Sequence, residues 1–224
     1  MRVNHVGPLT RSLVALSALV LVGACDIPLD NGPRPITAGA DGQSTETTVA
    51  SGGDTSTYVY FLMNDRFVDV TRDVRSRRTS TVLAALLNGP TASETADGII
   101  SQIPAATTVQ KVTEAQDAIR IETSEELLDV IGTAALQAVG QIVLTVTEIK
   151  PSATVEFVAG GQPVKVSSPI RGDVSQVNEC DFVGLLPTDD ELNAANLSED
   201  SVLHIAQRRR ALQDRCPDST EEPS

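Results

Sequence analysis

Apolar and polar positions divide this chain into segments of different kind. Leu13 to Ala24 is apolar apart from Ser17, and it is shorter than the roughly 20 residues a membrane-spanning helix needs. From Asp26 the pattern dissolves. Pro28, Pro33 and Pro35 stand among many Gly, Ser and Thr, with no aromatic residue before Tyr58, which predicts a disordered tether. As a coil, that tether would span roughly 30 Å. Periodicity returns at "TYVYFLM". Tyr58, Tyr60 and Leu62 alternate with Val59 and Phe61, so both faces are apolar and a central strand is expected. Asn64-Asp65 reads as a turn into a second strand, "RFVDVTR".

"TSTVLAALLNGP" predicts a helix capped by Thr79 or Ser80. Val82, Leu83, Leu86 and Leu87 share its apolar face, and Gly89-Pro90 stops it. A turn or short helix follows, pinned by Ile99, Ile100 and Ile103. Thr107–Thr113 and Ala118–Glu122 read as strands, and Thr123 with Glu126 fits a capping box. Ala135, Leu136, Val139, Ile142, Val143 and Val146 keep helical spacing, although the β-branched second half of that stretch also suits a strand. After Pro151, Val155, Phe157, Val164 and Val166 form a hairpin pattern around Gly160-Gly161. A last helix, capped by Asn196 or Ser198, carries a weak stripe of Val202, Ile205, Ala206 and Leu212. Arg208, Arg209 and Arg210 fall toward its C-terminal end. Residues 217–224 are expected to fray.

Composition adds a location. Lys and Arg total 17 against 30 Asp and Glu, a formal charge of −13. Such a chain is repelled by nucleic acid. The first eleven residues contain Arg2 and Arg11 and no acid, and they precede the short apolar run and the small residues Gly23 and Ala24. This is the form of an export signal over residues 1–24. "VGAC", Val22 to Cys25, resembles the lipobox of bacterial lipoproteins. The resemblance implies that Cys25 becomes the mature first residue, carries diacylglycerol and an N-acyl chain such as palmitate, and anchors the protein to the outer face of the cytoplasmic membrane. More than one acyl chain suffices for stable anchoring.

"VYFLMNDRFVDVTRDV", "LLNGPTASETADGIISQIP", "QIVLTVTEI" and "VEFVAGG" together resemble the GerMN domain of sporulation and spore-germination proteins, which also occurs in actinobacterial lipoproteins. The most telling piece is "LLNGPT", Leu86 to Thr91, followed by Gly98 and Ile103-Pro104. The resemblance implies an α+β fold: one compact domain with a mixed or antiparallel sheet packed against helices, behind the N-terminal tether. It implies no catalytic residue, and it favours helix for Thr133 to Ile149. The expected organisation is a signal peptide (1–24), a lipidated cysteine and linker (25–56), a GerMN-like domain (57–168), a C-terminal extension whose helix packs on the domain (169–216) and a disordered tail (217–224).

Candidate chemistry is sparse. With His5 inside the signal, His204 is the only histidine left, and it is expected on the solvent side of the terminal helix. No HExxH, CxxC, GxSxG or phosphate-loop pattern occurs, so no metal or cofactor is implied. With Cys25 lipidated, Cys180 and Cys216 form an even pair for a disulfide, the alternative being two reduced buried thiols. Arg72, Arg75, Arg77 and Arg78 stand out against the acidic total as an anion-binding rim, the alternative being a solvated loop paired with nearby acids. The leading expectation is a non-catalytic envelope lipoprotein that binds a protein or a cell-wall polymer. The alternatives are an accessory or substrate-binding lipoprotein of a membrane complex, and an envelope enzyme using paired carboxylates such as Asp65 with Asp69, or Glu122 with Glu125.

Overall fold

Strand β1 (Thr55–Met63) and strand β2 (Arg66–Val74) form an antiparallel hairpin that pairs Thr55 with Val74 and Met63 with Arg66. The computed structural model describes residues 55–216. The expected signal, Cys25, the linker up to residue 54 and the tail 217–224 lie outside these residues. Asn64 and Asp65 close the hairpin at φ 51° and 62°, the left-handed pair that a two-residue turn demands and that Asn and Asp tolerate. Helix α1 (Thr79–Leu87) follows, then helix α2 (Ala92–Ala96).

Strands β3 (Val109–Glu114), β4 (Ala118–Thr123), β5 (Thr154–Ala159) and β6 (Gln162–Val164) make a four-stranded sheet in that order. Only β4 and β5 run parallel, because the long helix α3 (Gly132–Ile149) carries the chain back between them; the sheet is therefore mixed. Beyond it come a small ladder, β7 (Val166–Ser168) with β8 (Gly172–Val174), a 3-10 segment at Glu179–Leu185, helix α4 (Asp189–Ala194) and helix α5 (Glu199–Arg215). The result is a compact α+β domain. None of the helices among the described residues is long and apolar enough to cross a membrane.

Helix α3 is the centre of the packing. Every residue from Gln137 to Thr147 is buried, so the helix is surrounded rather than lying on a surface. This resolves the helix-or-strand ambiguity: β-branched Val and Thr fit a helix whose neighbours supply the packing. Its buried polar residues Gln137, Gln141 and Thr145 recur every fourth position and face the β1–β2 hairpin, Gln137 donating to Asp65 in its turn. Gln141 Nε2 donates to the Tyr60 carbonyl at 3.1 Å, and the Tyr60 N–H donates to Thr145 Oγ1 at 3.0 Å. One residue pair further on, Leu62 exchanges both backbone bonds with Ile100. The outer edge of β1 is thus closed by helix side chains and one bridge, which satisfies buried backbone groups that a free edge would leave open. Gly140 sits where the aromatic pair Phe67 and Phe182 meets edge to face, and a Cβ there would lie 2.3 Å from Phe67 Cζ. Only glycine lets the rings approach so closely.

Three local expectations need correction. Thr79 is the buried first residue of α1, and Arg78 holds the N-cap position without a side-chain bond. Thr123 forms no capping box, because it is the buried last residue of β4 and only a three-residue 3-10 turn, Glu125–Leu127, follows. Capping boxes form instead at Thr91–Glu94, Asn178–Asp181 and Thr188–Glu191. The Val155–Val166 hairpin is shorter than its pattern. Its ladder ends at Val164, and Val166 buries itself in the separate β7–β8 pair.

Candidate functional site

Two of the sequence-derived sites are on the surface or between elements, and a third was missed. Of the four candidate arginines, Arg72 lies on β2 and is withdrawn from the surface rim. It grips Glu94 through both terminal nitrogens, at 2.7 and 2.6 Å, and lies over the Phe61 ring at 5.5 Å. Arg75, Arg77 and Arg78 are exposed on the loop that enters α1. The sequence from Val74 to Ser93 contains no acid, so this loop is a local positive spot on an acidic protein. Cys180 and Cys216 are joined as a disulfide with their Cα atoms 5.4 Å apart, tying the end of α5 to the 3-10 segment. Asp65 and Asp69 do not converge as a catalytic unit. Asp65 accepts from Gln137 at the hairpin turn, whereas Asp69 points into the cluster described next. Glu122 faces the outer side of the sheet, above a groove of about 600 Å³ also lined by Lys111, Arg120 and Glu156, where Arg120 and Glu156 pair at 2.8 Å.

The missed feature is a buried polar network around His204. Its ring is 19 % exposed, not on the solvent side of α5. Nδ1 bonds Asp69 Oδ2 on β2, Nε2 lies 3.2 Å from Glu148 Oε1 on α3, and the Tyr58 ring stacks on it at 3.6 Å. Tyr60 Oη donates to the other Glu148 oxygen at 3.3 Å, which also faces Arg208 Nε at 3.4 Å. Arg208 continues to Glu179 at 2.7 Å, and Arg215 reaches the second Glu179 oxygen at 3.1 Å. The physical reason is the register of α5. Ser201, Ile205, Arg208 and Leu212 share the buried face, and His204 sits on its flank against β2 and α3. The available signal was Asp69 itself, a charged residue inside the buried run Phe67–Val70.

Burial alone would lower the His204 pKa, but the hydrogen bonds and charges of Asp69 and Glu148 outweigh it and hold the imidazolium up at about 9. Burial pushes Asp69 up, against the pull of His204. Glu148 feels the same burial yet is held below its usual value by His204 and Arg208. Burial, and then the charges of Glu148 and Asp69, drive Tyr60 well above its usual value. Both ring nitrogens of His204 are engaged on opposite sides, so neither is open to a substrate or a metal. Among the described residues no group of three or more His, Cys, Asp or Glu is arranged to hold a metal ion. The cluster is a fastening. His204 is charged when folded up to about pH 9, against about 6.5 unfolded, so its contribution is complete below pH 6.5 and drains away as pH rises through 9. After allowance for solvent screening it amounts to about 2 kcal/mol. Urea midpoints measured from about pH 6 to 9.5 should therefore fall for the wild type. They should stay nearly flat for His204→Gln, and equal slopes would dismiss the fastening.

Residues 58–165 match the family model described as "Germane: Sporulation and spore germination". The matched segment runs from β1 to the end of β6, so β7, β8, the 3-10 segment at Glu179–Leu185, α4 and α5 lie beyond it. Among solved structures, the chain is similar to the tandem GerMN domains of the sporulation protein GerM from Bacillus subtilis. That likeness has 18 % identity and a TM-score of 0.40, covering 63 % of this chain and 50 % of that one. A putative lipoprotein from Clostridium perfringens gives 18 % identity and a TM-score of 0.40, with 60 % and 94 % covered. The first GerMN domain of the same B. subtilis protein gives 21 % identity and a TM-score of 0.42, with 54 % and 92 % covered. The comparison with curated protein sequences finds no match. The His204 network spans the boundary of the matched segment: Tyr58, Tyr60, Asp69 and Glu148 lie inside it, whereas Glu179, His204, Arg208 and Arg215 lie beyond it.

Proposed function

We propose that the protein is an extracytoplasmic, membrane-associated binding domain without catalytic activity, anchored through lipid on Cys25. The observation that carries this reading is the match of residues 58–165 to the sporulation and germination family. The lipobox-like "VGAC" after a short apolar run supports the anchor. The contact we assign to the domain is the exposed loop of Arg75, Arg77 and Arg78. Three guanidinium groups with no acid in their segment attract anions, and a wall polymer bearing phosphate or carboxylate groups is the fitting partner class.

Two measurements test the reading separately. The mass of the mature N-terminus should show Cys25 carrying diacylglycerol, with or without an N-acyl chain, and the Cys25→Ser form should leave the membrane fraction; an unmodified terminus elsewhere would remove the anchor. Cosedimentation with purified cell walls should weaken about tenfold at low salt when Arg75, Arg77 and Arg78 are all changed to Gln, and the difference should vanish near about 0.5 M salt. Equal cosedimentation of the two proteins at low salt would overturn the arginine contact.

A further inference from the structure

Strand pairing fixes where the chain that precedes the domain enters it. Thr55 pairs with Val74 at the open end of the β1–β2 hairpin, and Arg75 is the next residue. Whatever precedes Thr55 therefore joins the domain beside the loop of Arg75, Arg77 and Arg78. The turn end, at Asn64-Asp65, lies a full nine-residue strand away, roughly 30 Å. Residues 26–54 read as a tether of roughly 30 Å leading from Cys25. An anchor on Cys25 thus holds the arginine end of the domain, rather than the turn end, within one tether length of the bilayer.

Three charges at that end are uncommitted. Arg75, Arg77 and Arg78 are exposed, and their side chains form no ion pair with another described residue, whereas Arg72 is taken by Glu94. Asp73 is the acid nearest to the loop in sequence. By strand alternation it stands on the other face of the hairpin from Arg72 and Val74, where Ser56 Oγ donates to it at 2.8 Å. The net charge of −13 opposes approach to an anionic bilayer, but physiological salt screens it beyond about 8 Å, so the groups in contact decide. Each arginine at an anionic lipid surface strengthens a contact about fivefold. A tether of this length presents the headgroups at an effective concentration on the order of millimolar, which lets a weak contact be occupied. We propose that Arg75, Arg77 and Arg78 seat the domain on the phosphate headgroups of the bilayer that holds its anchor. This rests on the lipid anchor, and it gives the loop a second anionic surface that competes with the wall polymer for the same three side chains.

Protein carrying its native lipid, reconstituted into vesicles free of wall polymer, tests the contact. Phenylglyoxal labelling read by mass spectrometry reports the accessibility of each arginine, with Arg66 at the turn end as the internal reference. Replacing zwitterionic vesicles with vesicles rich in phosphatidylglycerol should slow labelling of Arg75, Arg77 and Arg78 about fivefold relative to Arg66, and about 0.5 M salt should remove the difference. Amide hydrogen exchange over residues 75–81 extends the test to the combined Arg75→Gln, Arg77→Gln and Arg78→Gln variant. Exchange should slow on the anionic vesicles for the wild type and stay unchanged for the variant. Equal labelling on the two kinds of vesicle, equal slowing at Arg66, or protection that survives the triple change would overturn the contact. Protection that appears only after purified wall polymer is added would also overturn it and leave the loop to the polymer alone. An N-terminal mass without lipid on Cys25 would remove the anchor and this contact together, a result distinct from lipidated protein that shows no protection.

Discussion

Replacing Glu179 with alanine is expected to cost about 3–5 kcal/mol of folding stability, a large share of the 5–15 kcal/mol typical of a domain. Its carboxylate is 1 % exposed and sits between Arg208 at 2.7 Å and Arg215 at 3.1 Å, with the Ser152 N–H also donating to it at 3.3 Å. Removing the acid leaves the Arg208 guanidinium, itself only 8 % exposed, with a more distant Glu148 and a hydroxyl. A buried charge stripped of its nearest partner is far worse than no charge at all. The Glu179→Gln variant keeps acceptor capacity and should lose less. Adding Arg208→Met to Glu179→Ala should recover part of the loss, because the stranded charge is then gone. Denaturant midpoints of the three proteins test this, and a loss under about 1 kcal/mol in Glu179→Ala would show that the network does not hold α5.

Changing both Cys180 and Cys216 to serine should lower stability by about 4 kcal/mol, from the loop entropy that the bridge removes from the unfolded chain. The cysteines are 36 residues apart, and the closed loop contains α4 and all of α5. The thermal midpoint should fall by roughly 8–16 °C, and reductant should move the wild type by a similar amount while leaving the serine variant unchanged. A midpoint indifferent to reductant would show that the bridge does not constrain the chain. The bridge and Glu179 act on the same 3-10 segment, so their losses should not add when combined.

Much of the fold was legible because it is written locally. The α1 helix and its Gly-Pro stop, the Asn64-Asp65 and Gly160-Gly161 turns, and the Ser198 cap depend on backbone preferences of a few adjacent residues. Apolar spacing also placed Ile205 and Leu212 in the core, where both are fully buried. The capping box assigned to Thr123 failed for the opposite reason: pairing of β4 with its neighbours on either side claimed that residue first. Exposure of the rim arginines was equally mixed. Arg72 differs from Arg75, Arg77 and Arg78 because it lies on β2, over Phe61, where α2 brings Glu94 opposite it.

By itself, then, the amino-acid order determined the β1–β2 hairpin, α1, β3, β4 and α5, the acidic charge and the even pair of cysteines, while the resemblance supplied the α+β class and the helix at α3. Tertiary structure alone decided that Gln141 and Thr145 close the edge of β1, and that His204 is a clamped cation rather than a surface residue. The reason is separation along the chain. Asp69, Glu148 and His204 lie on three elements far apart in sequence, and no local pattern encodes which buried polar group will meet which. Only packing makes those partners meet, because burying each charge unpaired would cost more than the domain can bear.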